Sequence, residues 1–211
     1  MKSVPLPTGM PPSFEEPTLL QVSTLGAVLG GGQSTRMGSD KALIEVDGVS
    51  MLERVTTAVA SAAHRVVILG TEYEGFESWP DQAQGAGPLI GIATALARAE
   101  ADRVLVVAVD HPFVRSETLA RLVGMEAELS VVPVDKDGVR QVTCAVYPVS
   151  IADLAAEEAG AGGSIQSLLD RVSFQPVTPD TWTAWGEDGR SWFSADTPDA
   201  VEDGVTRFLG V

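Results

Sequence analysis

From Thr24 to Leu29 the chain is apolar almost without a break and then meets three glycines, the pattern of a buried strand opening into a tight loop. Beyond the loop, Met51, Leu52, Val55, Val59 and Ala62 recur near helical spacing and predict a helix. The alternation continues with a strand over Arg65–Leu69, a helix over Leu89–Ala99, a strand over Arg103–Val109 and a capped helix over Ser116–Gly124. Uninterrupted Val/Ile/Leu runs belong to strands covered on both faces, and helices between them imply parallel crossovers. After residue 127 the rhythm changes. Leu129–Val134 and Val142–Tyr147 read as two strands close in sequence with a turn at Asp137-Gly138, so an antiparallel excursion at one edge of the sheet is expected. The tail predicts helices over Ile151–Ala159 and Ser164–Val172, an irregular Trp-bearing stretch over Pro176–Trp192, and a last helix over Pro198–Leu209. The expected fold is a three-layer α/β/α, Rossmann-like single domain over residues 24–211 with a mostly parallel sheet. Residues 1–23, rich in Pro, Ser and Glu without periodicity, predict a flexible N-terminal arm.

Charge narrows the partners. Lys and Arg number 14 against 29 Asp and Glu, a formal net charge of −15, so most of the surface repels phosphodiester backbones and anionic lipid heads. Nucleic acid and membrane are therefore not expected as partners. An anionic ligand needs a local pocket where backbone N–H groups and a few cations overcome the global field. The single cysteine, Cys144, cannot form an intrachain disulfide or contribute to a multi-thiol metal site, which fits a reducing cytoplasm. The first residues carry several prolines and no apolar segment of a secretory signal, and no apolar run approaches the roughly 20 residues of a spanning helix.

The segment Leu29-Gly-Gly-Gly-Gln-Ser-Thr-Arg-Met-Gly-Ser-Asp-Lys41 directly follows the first strand, where open α/β sheets bind ligands. Consecutive glycines let the backbone approach a ligand and aim N–H groups at its oxygens, while Arg36 and Lys41 add positive charge. Together they predict a polyphosphate cradle. It is not a Walker A loop, because Ser39-Asp40 separate Gly38 from Lys41, nor Gly-x-Gly-x-x-Gly, because Thr35 stands at the third glycine. Asp110, just past the apolar strand in Val107-Ala-Val-Asp-His-Pro-Phe113, is a hard oxygen donor of the kind Mg²⁺ takes. In Asp81-Gln-Ala-Gln-Gly-Ala-Gly-Pro-Leu-Ile-Gly91, Gly87 permits close approach, Pro88 opens a helix, and Asp81 suits purine N–H groups or ribose hydroxyls. His111, His64 and Cys144 read as structural, and the tail tryptophans as core and lid packing in preference to a ligand platform.

Taken together, these segments resemble the molybdenum cofactor guanylyltransferases, the MobA-like nucleotidyltransferases. The first is similar to their L-A-G-G-x-S-x-R-M-G-x-D-K signature, with Gly30 in place of alanine. The Asp81 segment is similar to D-x-x-P-G-x-G-P-L-A-G, with Gln84 at the proline, and Asp110, Pro112 and Phe113 match D-x-P-F. Ser194-Ala-Asp-Thr-Pro-Asp199 resembles N-x-N-T-P-E/D, with Asp196 at the second asparagine. Related cytidylyltransferases often use an aspartate there as a second metal ligand, although Thr197-Pro198 also suits a plain helix start. Arg140–Tyr147 is similar to a strand that positions the acceptor, with Gln141 as the candidate contact. The resemblance implies transfer of GMP from GTP to the phosphate of molybdopterin or the molybdenum cofactor, with Mg²⁺ as cofactor and pyrophosphate released. It implies Arg36, Lys41 and Asp110 as catalytic residues and Asp110 and Asp196 as metal ligands. Leu29, Gly30, Gly31, Gly32, Asp81, Gly87, Pro88 and Leu89 would join them around the nucleotide. Molybdoenzyme maturation proteins are further expected partners. A cytidylyl or other small-phosphate nucleotidyltransferase, or a catalytically silent nucleotide-binding scaffold, are the alternatives.

Overall fold

The computed structural model describes residues 22–30, 40–80, 87–125 and 128–210. In chain order these form β1 (Thr24–Leu29), a 3-10 turn (Lys41–Leu43), β2 (Glu45–Val46), β3 (Val49–Ser50), α1 (Met51–Ala60), β4 (Arg65–Gly70), β5 (Ser78–Pro80), α2 (Pro88–Arg98), β6 (Arg103–Ala108), α3 (Ser116–Val123), β7 (Ser130–Pro133), β8 (Cys144–Pro148), α4 (Ala152–Gly160), α5 (Ile165–Asp170), β9 (Phe174–Val177), α6 (Pro179–Ala184) and α7 (Pro198–Leu209).

All of β1 is buried, and its period of two divides it between two cores. Leu25, Ala27 and Leu29 pack with α2, α4 and α5 on one side of the sheet. Val28 faces the other side with side chains of α1, α3, α6 and α7. Each fully buried Val, Leu or Ile contributes roughly 1.5–3 kcal/mol of transfer free energy, so a strand apolar on both faces is stable only as a middle layer. That is the expected α/β/α sandwich.

The main sheet has the order β5-β4-β1-β6-β8-β7-β9. β4 and β6 flank β1 in parallel, and β5 and β9 join their neighbours in parallel. β8 runs antiparallel to both β6 and β7. The antiparallel strand thus lies inside the sheet, and β9 takes the edge beyond β7. Phe174–Val177 falls in and beside the stretch expected to be irregular. Its Pro176 conceals the strand pattern, and a strand containing proline is tolerated at an edge, where a missing N–H breaks no ladder. The short hairpin of β2 and β3 was equally unexpected, although Asp47 and Gly48 at its tip have φ of 54° and 74°, as a two-residue hairpin turn requires. In α3 the cap differs by one position: Arg115 precedes the helix without a side-chain cap, and its N–H donates to Ser191 Oγ at 3.1 Å. Of the predicted arm, Val22 and Ser23 are described, and Ser23 donates from N and Oγ to Asp102 Oδ2.

The carboxyl ends of the central strands are in register: Leu29 pairs with Leu69 of β4 and with Ala108 of β6. Everything that follows these three strands therefore emerges at one end of the sheet.

Candidate functional site

Three side chains from distant parts of the chain meet at that end. Lys41 opens the 3-10 turn, which Asp40 caps by accepting from the Ala42 N–H at 3.0 Å. Its Nζ lies 3.4 Å from Asp110 Oδ2 and also forms an ion pair with Asp196 Oδ1. Asp110 leaves the end of β6, and Asp196 stands just before α7, where Thr197 caps by accepting from Ala200 N–H and Pro198 opens the helix. Ser194 Oγ sits 2.8 Å from Asp110 Oδ2 and 2.8 Å from Asp196 Oδ2, its one proton serving one carboxylate at a time. The backbone joins the same two segments, since Ala195 N–H donates to the Asp110 carbonyl at 2.8 Å. Behind them Phe113, Phe193 and Phe208 pack with ring centroids 5.3–5.9 Å apart and fix the two loops to α7.

The Lys41 hydrogen bond holds the Asp196 carboxyl below the usual carboxylate range, with Ser194 adding to the effect and partial burial opposing it. Asp110 Oδ1 is buried and accepts no hydrogen bond among the described residues. His111 is 3% exposed, with Nδ1 3.3 Å from the Phe193 carbonyl and Nε2 3.1 Å from Thr143 Oγ1. A carbonyl only accepts, so Nδ1 carries a proton and donates to it, while Nε2 pairs with the threonine hydroxyl. His111 thereby braces the Asp110 loop, in keeping with the structural reading. Arg54 braces it from the other side, donating to the Pro112 carbonyl at 3.0 Å and the Val46 carbonyl at 3.2 Å.

The structure thus brings together Lys41, Asp110 and Asp196, which the sequence spreads over 155 positions. Gly31, Gly32, Arg36 and Asp81 lie outside the described residues. Gly30 continues β1: its N–H donates to Leu69 O at 3.0 Å, so the amide is already used within the sheet. A Cβ there would lie 2.6 Å from Ile68 Cγ2, which gives a packing reason for glycine at this position. The Leu29 carbonyl is likewise taken by Val109 N–H. Gly87 precedes α2 with φ of 78° and open space at its Cβ position, and Pro88 is the first helical residue. Leu89 is 3% exposed, its side chain committed to the core, so only its backbone faces the helix entrance. A Cβ at Gly91 would lie 3.4 Å from Leu29 Cδ2 and 3.6 Å from Leu69 Cβ, so the first turn of α2 lies over the ends of β1 and β4, at the same end of the sheet as Asp110.

Other candidates are spent elsewhere. Gln141 donates its side-chain amide to Asp135 Oδ2 at 2.8 Å, within a tight turn. Cys144 is fully buried, and burial pushes its thiol up, away from nucleophilic use. Trp182 and Trp192 pack edge to face at 5.3 Å in the core, as expected. His64, read as structural, accepts at Nδ1 from the Thr24 N–H at 3.3 Å beside β1. The residues that sequence reading left without a role are Ser194 and Arg54. Ser194 lies inside a segment already of interest, but a contact across 84 positions leaves no local signal.

The MobA-like NTP transferase domain matches residues 26–177. A probable molybdenum cofactor guanylyltransferase from Pelotomaculum thermopropionicum is 40% identical over 118 residues, covering 54% of this chain and 57% of the relative. Its counterpart in Nostoc sp. is 43% identical over 99 residues, covering 44% and 48%. The match thus spans about half the length of these two relatives. A counterpart in Natronomonas pharaonis is 28% identical over 191 residues, covering 84% of this chain and 94% of the relative. Among solved structures, the molybdopterin-guanine dinucleotide biosynthesis protein A of Archaeoglobus fulgidus shares the fold with a TM-score of 0.72 at 23% identity, covering 86% of this chain and 96% of that one. The 2-C-methyl-D-erythritol 4-phosphate cytidylyltransferase of Thermus thermophilus shares it at 0.64 and 18% identity, covering 88% and 97%.

Proposed function

The chain belongs to the MobA-like NTP transferase family, and from that premise we propose that it transfers GMP from GTP to the terminal phosphate of molybdopterin, or of its metal-loaded form, releasing pyrophosphate. The observation that carries the reading is the Lys41 ammonium lodged against Asp110 and Asp196 at the carboxyl end of the sheet. In such a transfer the protein's work is positioning and charge neutralisation, because the attacking phosphate is already anionic and needs no general base. His111, buried and engaged by the Phe193 carbonyl and the Thr143 hydroxyl, suits that requirement. Lys41 is the cation that offsets charge developing on the triphosphate, with Gly31, Gly32 and Arg36 completing the phosphate grip. At the N-terminal turn of α2, Gly87 and Leu89 supply backbone N–H groups near the guanosine while Pro88, which has none, opens the helix, and Asp81 supplies the hydrogen-bond acceptor.

The cluster fits a magnesium ion. Its oxygens are hard, the buried Asp110 Oδ1 lacks a donor among the described residues, and Mg²⁺ takes one or two carboxylates with the remainder from phosphates and water. Asp110 and Asp196 would hold the ion. When bound, it supplies Lewis-acid neutralisation of the phosphate oxygens.

Pyrophosphate release with molybdopterin and Mg²⁺, run in parallel with GTP and CTP, tests the proposal. It predicts pyrophosphate and a guanine dinucleotide in equal amounts, with GTP strongly preferred. Preference for CTP would move the chain to the cytidylyl chemistry of the same fold, and absence of release from either nucleotide would leave a scaffold that serves the maturation proteins.

A further inference from the structure

Tyr73, in the loop between β4 and β5, stands beside the site without touching its carboxylate pair. Its Oη is 3.0 Å from the Gly30 carbonyl and 3.0 and 3.1 Å from the two carboxylate oxygens of Asp40. Gly30 and Asp40 are ten positions apart, and the phenol lies between the end of β1 and the residue that caps the Lys41 turn, its one proton serving the carboxylate or the carbonyl at a time. The Tyr73 backbone is held by Phe76 N–H, which donates to its carbonyl at 3.2 Å, and by its own N–H, which donates to Ser78 Oγ at 3.4 Å, and the ring lies so close to Gly30 that a Cβ there would be 3.1 Å from Cε2. Asp40 passes the constraint on. Its Oδ1 accepts from Ala42 N–H, and its carbonyl accepts from Leu43 N–H at 3.1 Å, which together set the turn on which Lys41 sits. From that turn the Lys41 side chain, 13% exposed, reaches Asp110 and Asp196.

We infer that Tyr73 is a positioning residue for Lys41, acting through Asp40: its hydroxyl fixes the carboxylate that sets the turn, and so the approach of the ammonium to the acidic pair. The catalytic consequence rests on the transferase reading above, but the effect on Lys41 does not.

Two measurements on Tyr73→Phe separate them. The first is trace acetylation of amines with limiting acetic anhydride, read peptide by peptide, with exposed Lys136 as internal reference. The Lys41-to-Lys136 labelling ratio should rise several-fold in Tyr73→Phe at unchanged circular dichroism. It should rise in Asp40→Ala as well, and Tyr73→Phe should add nothing on that background. The second is kcat and KM for GTP, where kcat should fall about tenfold, the scale of a lost hydrogen bond to a charged group, with KM much less affected. An unchanged labelling ratio, or additive effects in the double variant, would overturn the inference. Wild-type protein inactive in transfer would overturn the transferase reading and leave the labelling result to decide the role of Tyr73.

Discussion

Lys41 is the residue on which most of the electrostatics converge. A unit pair at its 3.4 Å separation from Asp110 is worth about 5 kcal/mol at an effective dielectric near 20 before desolvation, and the partial exposure of both partners reduces that further. Lys41→Met removes the cation shared by two carboxylates and should lower transfer at least about a hundredfold, comparable with loss of one preorganised charge-stabilising donor. The same variant should reveal itself in stability. With Lys41 present, the folded-state carboxyl of Asp196 lies below its unfolded value, so its contribution is complete above about pH 4 and disappears as pH falls through the lowered value. Wild type should therefore melt above Lys41→Met at pH 6, and the gap in Tm should close below about pH 4. A gap independent of pH would show that the pair does not supply it. Lys41 and Asp110 were legible in the sequence because strand ends carry ligands. Ser194 was not, because a hydroxyl shared by two acids is a property of folded proximity.

At the scale of elements, the site depends on how α7 is seated. Gly204, in the middle of that helix, faces Phe113: a Cβ there would overlap Phe113 Cε2, lie 2.6 Å from its Cζ and 3.0 Å from Phe193 Cε1. Gly204→Ala, normally favourable in a helix, should here cost about 1–3 kcal/mol through overpacking, or roughly 2–10 °C in Tm. It should also depress transfer, since Phe113 and Phe193 flank the loops of Asp110 and Asp196. A stabilised, fully active variant would contradict this packing account. The central strands and the long helices were readable because burial on both faces leaves continuous apolar runs and amphipathic helices leave a 3.6-residue period. β5 and β9 were missed because Ser78–Pro80 is three residues long and β9 contains Pro176, and the β2–β3 hairpin because four strand residues hardly establish a period. The antiparallel β8 was expected, but its insertion between β6 and β7 follows from long-range pairing that local patterning does not encode.

At the scale of the molecule, the chain carries a net charge of −15 around a site for which polyanionic substrates are proposed. No helix among the described residues is long and apolar enough to cross a membrane. If the site binds GTP as proposed, long-range repulsion should slow the nucleotide's approach while local cations hold it, and salt should screen the first more than the second because the Debye length is about 8 Å at physiological ionic strength. The association rate of GTP should accordingly rise as salt goes from about 20 to about 150 mM, and a steep fall would reveal a basic surface that this account lacks. Whether Asp110 holds the metal beside a bound nucleotide is decided by a crystal grown with GTP and Mn²⁺ in place of Mg²⁺ and measured for anomalous scattering. A manganese peak is expected in contact with the Asp110 carboxylate, with the triphosphate lying over the ends of β1 and β6 and Lys41 turned toward it. A nucleotide bound elsewhere, or a metal that ignores Asp110, would contradict that arrangement.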